Sequence, residues 1–126
     1  MGMLVRHMMI KKVVTARKNN TAKNAIKLLF KRHVGAIVVI NDEKKCLGIF
    51  TERDAIRVVA QNIPLESSLE EVMTKNVVTV QEDATFEEAR GKILTHKIRH
   101  LPVVNSNGKL VGLIAVRQIL NEFFKI

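Results

Sequence analysis

The sequence predicts a mixed α/β fold of the α+β type, built as two tandem β-α-β-β-α repeats packed about a pseudo-twofold axis. Three observations carry that expectation. The chain aligns with itself without gaps at an offset of 64 residues. Within each copy, short apolar runs alternate with segments whose apolar residues recur at helical spacing. Finally, a three-stranded sheet with two helices on one face leaves its other face bare, and a second copy of the same unit can cover it.

The internal repeat is dense. Met9 falls on Met73, Val13-Val14-Thr15 on Val77-Val78-Thr79, and Thr21 on Thr85. Ala25 falls on Ala89, Val39 on Val103, Asn41 on Asn105, Gly48 on Gly112 and Arg53 on Arg117. So many coincidences in one register point to duplication. The repeats are placed at 1–62 and 63–126, joined around Gln61 to Leu69.

Each copy opens with a short strand, Val13–Thr15 or Val77–Val80. A helix started by Thr21 or Thr85 follows. Ala22, Ala25, Ile26 and Leu29 form the apolar face of the first, and Phe86, Ala89 and Ile93 that of the second. Thr85-Phe86-Glu87-Glu88 reads as a capping box. A second strand comes next, Ala36–Ile40 or Leu101–Val104, then a polar turn containing Asn107-Gly108 in the second copy. The third strand, around Leu47–Phe50 or Leu110–Ile114, runs into the last helix, for which Ala55, Ile56, Val59 and Ala60 supply a helically spaced apolar set in the first copy. Short helical leads precede each copy, with Ser68-Leu69-Glu70-Glu71 capping the second. The first two strands of each copy, joined through a helix, should be parallel, and the hairpin should add an antiparallel strand.

With 126 residues, 47% apolar and 26% charged, the chain suits one compact unit with a real core. No apolar run approaches membrane-spanning length and no secretory leader is evident, so a cytoplasmic location is expected. The single Cys46 excludes an internal disulfide and multi-cysteine metal sites, and it reads as a core thiol at a strand position matching Leu110. The net charge of +9 is uneven: residues 1–63 hold 13 Lys/Arg against 4 Asp/Glu, and residues 64–126 hold 8 of each. Such a half suggests an anionic partner without naming one. Lys23, Lys27 and Lys31 form a basic stripe on the first helix, readable as a solvated face or as a docking surface for nucleic acid or an acidic protein. With no Trp, no Tyr and five Phe, base stacking has few candidates.

The most informative stretch is Gly48-Ile49-Phe50-Thr51-Glu52-Arg53-Asp54, a buried strand turning into a helix. Thr51 and Asp54 share one face of the first turn. A hydroxyl beside free backbone N–H groups suits phosphate, and a carboxylate there can accept from two neighbouring hydroxyls, as on a ribose. Equally, Thr-x-x-Asp before an apolar run is a capping-box signature with no ligand at all.

Val72-Met73-Thr74-Lys75-Asn76-Val77-Val78-Thr79-Val80, Arg99-His100-Leu101-Pro102-Val103-Val104 and Gly48–Asp54 together resemble a CBS-domain pair, or Bateman module, over nearly the whole chain. The resemblance implies a stand-alone regulatory module rather than an enzyme. It also implies an adenosine-containing ligand (AMP, ADP, ATP or S-adenosylmethionine) held in a cleft between the repeats, with no cofactor required. On that resemblance Asp54 would take the ribose hydroxyls, and Thr51 with Arg53 the phosphate side, with Ile49 on the strand before them. Val77, Val78, Lys97, Ile98, Arg99, His100 and Pro102 would supply the opposite wall, apolar residues holding the base and the cations meeting phosphate.

The matching stretch of the second copy, Gly112-Leu113-Ile114-Ala115-Val116-Arg117-Gln118, lacks both hydroxyl and carboxylate, and His33-Val34-Gly35-Ala36 lacks fixed cations where the second copy has Lys97–His100. One ligand per chain is therefore expected. Two rival readings stand: a nucleic-acid-binding protein using the basic first repeat, and a structural dimerisation module with empty clefts. A homodimer is implied by the resemblance, through the final helix Ile119–Ile126, whose apolar residues cover more than one face. An effector protein would read the output.

No nucleophile elbow, Walker-type loop or dinucleotide fingerprint is present. His96 and His100 have i, i+4 spacing, but the expected helix end near His96 or Lys97 should make them diverge, so no metal is expected. His7 and His33 read as surface residues. Gly91, inside a helix, implies close packing, because it otherwise costs about 1 kcal/mol relative to Ala.

Overall fold

A computed structural model describes residues 2–124 and divides into two compact units, one of Val14–Val77 and one of Met1–Val13 with Val78–Ile126. In the first, β1 (Thr15–Ala16), α1 (Ala22–Arg32), β2 (Ala36–Ile40), β3 (Cys46–Thr51) and α2 (Glu52–Ala60) are followed by the single turn α3 (Leu69–Val72). The second has a 3-10 turn at Val5–His7, then β4 (Val80–Gln81), α4 (Phe86–His96), β5 (His100–Val104), β6 (Leu110–Ala115) and α5 (Val116–Phe124). Each sheet has three strands in sequence order, the first pair parallel and the second antiparallel. The predicted β-α-β-β-α plan is thus observed twice. Both first strands are shorter than expected, only two residues each entering the parallel ladder.

In the Val14–Val77 unit, Ala22, Ala25 and Leu29 of α1 meet Ile37, Val39 and Phe50 of the sheet and Val58 of α2. In the other, Ala89 of α4 meets Leu101, Val103 and Ile114. Strand alternation explains the choice, since residues two apart share a face.

Several coincidences of the repeat acquire a physical cause. Asn41 and Asn105 each fold a hairpin turn, the side-chain oxygen accepting backbone N–H groups from Glu43 and Lys45 (2.9 and 3.0 Å) and from Asn107 and Lys109 (2.9 and 3.0 Å). Met9 and Met73 explain the two strand glycines. A Cβ on Gly48 would lie 2.8 Å from Met73 Cγ and 2.9 Å from the Thr74 carbonyl oxygen; on Gly112 it would lie 2.7 Å from Met9 Cγ and 3.1 Å from the Ile10 carbonyl oxygen. The leads are therefore exchanged. Met73 and Thr74, which begin the second copy in sequence, pair through Thr74 with Ile49 in the first unit, and Ile10 pairs with Leu113 in the other.

Four expectations change. Of the apolar set expected on α2 only Ala55 packs on the core; Ile56 and Val59 are 68% and 67% exposed and Ala60 is exposed too, while Asp54 and Val58 point inward. The helix leaves β3 with Asp54 folded back on its own start, which turns the 54/58 side to the core. Gly91 has nothing within 4 Å of where a Cβ would sit, so packing does not require it. Ser68 makes no side-chain cap, since loop carbonyls already take the N–H groups of α3: Leu69 donates to Asn20 and Glu70 to Lys18. Thr85 does cap α4, accepting from the Glu88 N–H at 3.2 Å, but the Glu88 side chain makes no return bond. As for the final helix, the side chains of residues 123–124 and everything at 125–126 lie outside the described residues, so the expectation placed on them cannot be followed there.

Candidate functional site

The N-terminus of α2 carries the one complete capping box the chain forms among the described residues, and it is the one at the candidate ligand motif. β3 ends at Thr51 in extended conformation, and its side chain accepts from the Asp54 N–H at 3.3 Å. Asp54 Oδ2 accepts the Thr51 N–H at 2.9 Å and the Thr51 hydroxyl at 3.2 Å. Two further groups converge on the same carboxylate. The Thr74 hydroxyl donates at 3.1 Å to Oδ1, and Arg57 Nη2 lies 3.4 Å from Oδ1. Arg57 also donates to the Val72 carbonyl, which ties α2 to the end of α3.

Asp54 is 6% exposed and is the one buried charged residue among those described. A buried carboxylate costs heavily unless paired and hydrogen-bonded, and here both conditions are met. A carboxylate offers about four lone-pair sites, and the Thr51 N–H, two threonine hydroxyls and Arg57 occupy them. A ribose could enter only by displacing a donor, and the Thr74 hydroxyl, on an exposed residue, is the most accessible one. The geometry therefore realises the cap in full, with the Thr74 hydroxyl as the donor on the most exposed residue of the cluster.

Thr74 and Arg57 are partners of Asp54 that the sequence motifs do not mark as such. Arg57 had a signal, because Asp and Arg three apart on a helix are neighbours. Thr74 had none, because it lies twenty residues away and arrives through the exchanged lead.

The other candidates on this unit are Ile49, buried in β3 and hydrogen-bonded both ways to Thr74 (3.0 and 2.9 Å), Arg53, exposed on α2, and Val77, half-buried at the unit's last residue. Of the remaining six, all in the other unit, five gather at the α4–β5 corner. Lys97 ends α4 in the left-handed region at φ 54°, exposed. Ile98 packs on the core, Arg99 is exposed, and its carbonyl accepts the Val116 N–H at 3.0 Å. His100 opens β5 half-buried, and Pro102 is fully buried within it. Val78 packs against the same core. The left-handed cap and the strand start thus hold Lys97, Arg99 and His100 at one corner.

At the position matching Asp54, Gln118 donates through Nε2 to the Met8 carbonyl at 3.3 Å, while its buried Oε1 has no partner among the described residues. The α5 start holds without the carboxylate, so the fold itself does not demand one. His96 and His100 form no metal cluster among the described residues. Cys46 is half-buried in β3, and burial pushes its thiol up to about 11. No helix among the described residues is long and apolar enough to cross a membrane.

Comparison with known proteins agrees with this architecture. The model of the CBS domain matches twice, at residues 5–61 and 69–125. An uncharacterized 17.7 kDa protein of Acidianus ambivalens is 35% identical over 115 residues, covering 91% of this chain and 70% of that protein. An inosine-5′-monophosphate dehydrogenase of Methanocaldococcus jannaschii is 31% identical over 90% of this chain, which spans only 22% of that enzyme. Among solved structures, a CBS domain pair in complex with 5′-methylthioadenosine and S-adenosyl-L-methionine superposes with a TM-score of 0.89 at 29% identity, covering 99% of this chain and 98% of that one. A CBS domain protein from Pyrobaculum aerophilum complexed with AMP superposes with a TM-score of 0.87 at 27% identity, covering 98% of this chain and all of that one. Sequence and fold together place this chain in the CBS domain family, as a tandem pair of its domains.

Proposed function

We propose that the chain is a cytoplasmic regulatory module, not an enzyme, that senses an adenosine-containing nucleotide. Asp54 accepts the ribose hydroxyls in place of the Thr74 hydroxyl, Thr51 and Arg53 lie on the phosphate side, and Lys97, Arg99 and His100 meet phosphate. Val77, Val78 and Ile98, all half-buried, contribute apolar surface for the base, while Ile49 and Pro102 are buried in their strands and hold the neighbouring site residues in place. The observation that carries this reading is the Asp54 cluster, a buried carboxylate at a helix start whose Thr74 donor sits on an exposed residue. Support comes from the pairs of matching fold solved with AMP and with S-adenosyl-L-methionine. A second copy of the chain covers the outward apolar face of α2, where Ile56 and Val59 stand exposed.

Calorimetry with adenosine, AMP, ATP and S-adenosylmethionine tests the reading. One site per chain is expected. Asp54→Ala should weaken every adenosine ligand about tenfold or more, since hydrogen bonds to a charged group are worth about 1.5–3 kcal/mol. Arg99→Ala should weaken ATP more than AMP and leave adenosine nearly unchanged, with the difference shrinking in high salt. Gln118→Ala should change little. Normal binding by a folded Asp54→Ala protein would reduce the cluster to a helix cap.

A further inference from the structure

The basic stripe on α1 is not explained by the fold. Lys23, Lys27 and Lys31 are exposed, and none of their ammonium groups forms an ion pair or hydrogen bond among the described residues, whose ion pairs are Arg17–Asp42, Lys18–Glu70 and Arg57–Asp54. The helix carries no acidic residue at all. Lysines four apart repel one another along a helix, and Lys23 in the first turn opposes the macrodipole. Lys31 and Arg32, at the last turn, are the two cations the helix itself favours.

The duplication supplies an internal control. The positions of Lys23, Asn24, Lys27 and Lys31 are Glu87, Glu88, Gly91 and Thr95 on α4. That helix has the same length and the same threonine cap, so the same helix forms without the stripe.

Lys27 and Lys31 also line a groove of about 430 Å³, with Asn20, Asn24 and Thr15 of the edge strand β1. Phe30, one turn beyond Lys27, is 81% exposed, its ring tilted against His33 at a centroid distance of 6.5 Å. Cations in a row at steps of about 6 Å along the helix, amide and hydroxyl groups in a groove and an aromatic face in water are the parts that hold a single-stranded backbone while stacking a base. An acidic protein would account for the lysines but not for the bare phenyl ring among them.

We propose that the α1 face of the Val14–Val77 unit binds single-stranded nucleic acid, with Lys23, Lys27 and Lys31 on phosphates and Phe30 stacking on a base. This surface is separate from Asp54 and does not depend on the adenosine reading.

The test is fluorescence anisotropy of the 126-residue chain with a labelled single-stranded RNA of about twelve nucleotides. Three phosphate contacts predict a slope of log affinity against log salt of about −2. Lys27→Glu with Lys31→Glu should weaken binding at least tenfold at low salt, and Phe30→Ala about fivefold or more, each at an unchanged melting temperature. Lys109→Glu, the same charge change at an exposed lysine of the second repeat, should have little effect. Inorganic polyphosphate should bind the Phe30→Ala protein as well as the parent. No RNA binding, an equal loss in Lys109→Glu, or competition by polyglutamate as effective as RNA with no effect of Phe30→Ala would each overturn the proposal, the last in favour of an acidic protein.

Discussion

Replacing Gly48 by alanine tests how the second copy's lead is seated on the first copy's sheet. The added methyl would sit 2.5 Å from Met73 Sδ, 2.8 Å from its Cγ and 2.9 Å from the Thr74 carbonyl oxygen. Met73 could swing aside, but it is buried in the core of this unit, and leaving its notch forfeits much of the roughly 1.5–3 kcal/mol that burying such a side chain contributes. The carbonyl is fixed more firmly, because Thr74 and Ile49 exchange backbone hydrogen bonds in both directions. Overpacking of this kind costs about 1–3 kcal/mol, and with both a side chain and backbone in the way we expect about 2 kcal/mol. Gly112→Ala should behave alike against Met9 and the Ile10 carbonyl.

Urea denaturation read by circular dichroism measures the loss. The double variant Gly48→Ala/Met73→Ala separates the two contacts. It should cost less than the sum of its single changes by about 1 kcal/mol or more, because the methyl then occupies space the thioether has left. A Gly48→Ala protein within about 0.5 kcal/mol of the parent, or strict additivity in the double variant, would refute the notch.

Gly91→Ala should raise stability by about 0.5–1 kcal/mol in the same assay, since the position is mid-helix with open space around it. Thr74→Val should lower stability by about 1 kcal/mol through the lost donation to Asp54, with little change elsewhere in the chain. The raised Cys46 thiol predicts slow alkylation in the native protein at pH 8, on the order of a hundredfold slower than in urea, rising about tenfold per pH unit until pH approaches 11. Because the folded value lies above the ordinary one, this thiol's contribution to stability is complete below about pH 9 and is lost as pH rises toward 11. Fast labelling at pH 8 with no loss in alkali would contradict it.

The repeat, the order of its elements and their types were legible in the sequence because they rest on periodicity and on local turn chemistry. Asn41 and Asn105, Thr21 and Thr85 act on backbone groups within four residues of themselves, so their effect travels with the sequence. The Thr51–Asp54 turn was legible for the same reason, down to its two competing readings. Periodicity failed on α2, where an apolar stripe told that a face existed but not which way it looked. Asp54 turned the opposite side inward, and Ile56 and Val59 were left outside.

Tertiary structure alone decided what sits against what across the exchanged leads. Glycines 48 and 112 announced themselves in the repeat, but the methionines that require them are on the other copy, and no local rule connects them. Thr74 reaches Asp54 across twenty residues by the same exchange, completing a carboxylate site whose last donor the sequence could not supply. The physical reason is separation in the chain. Capping and turns are written into neighbouring residues, whereas the filling of a notch or the last bond to a buried charge depends on which distant segment packing delivers.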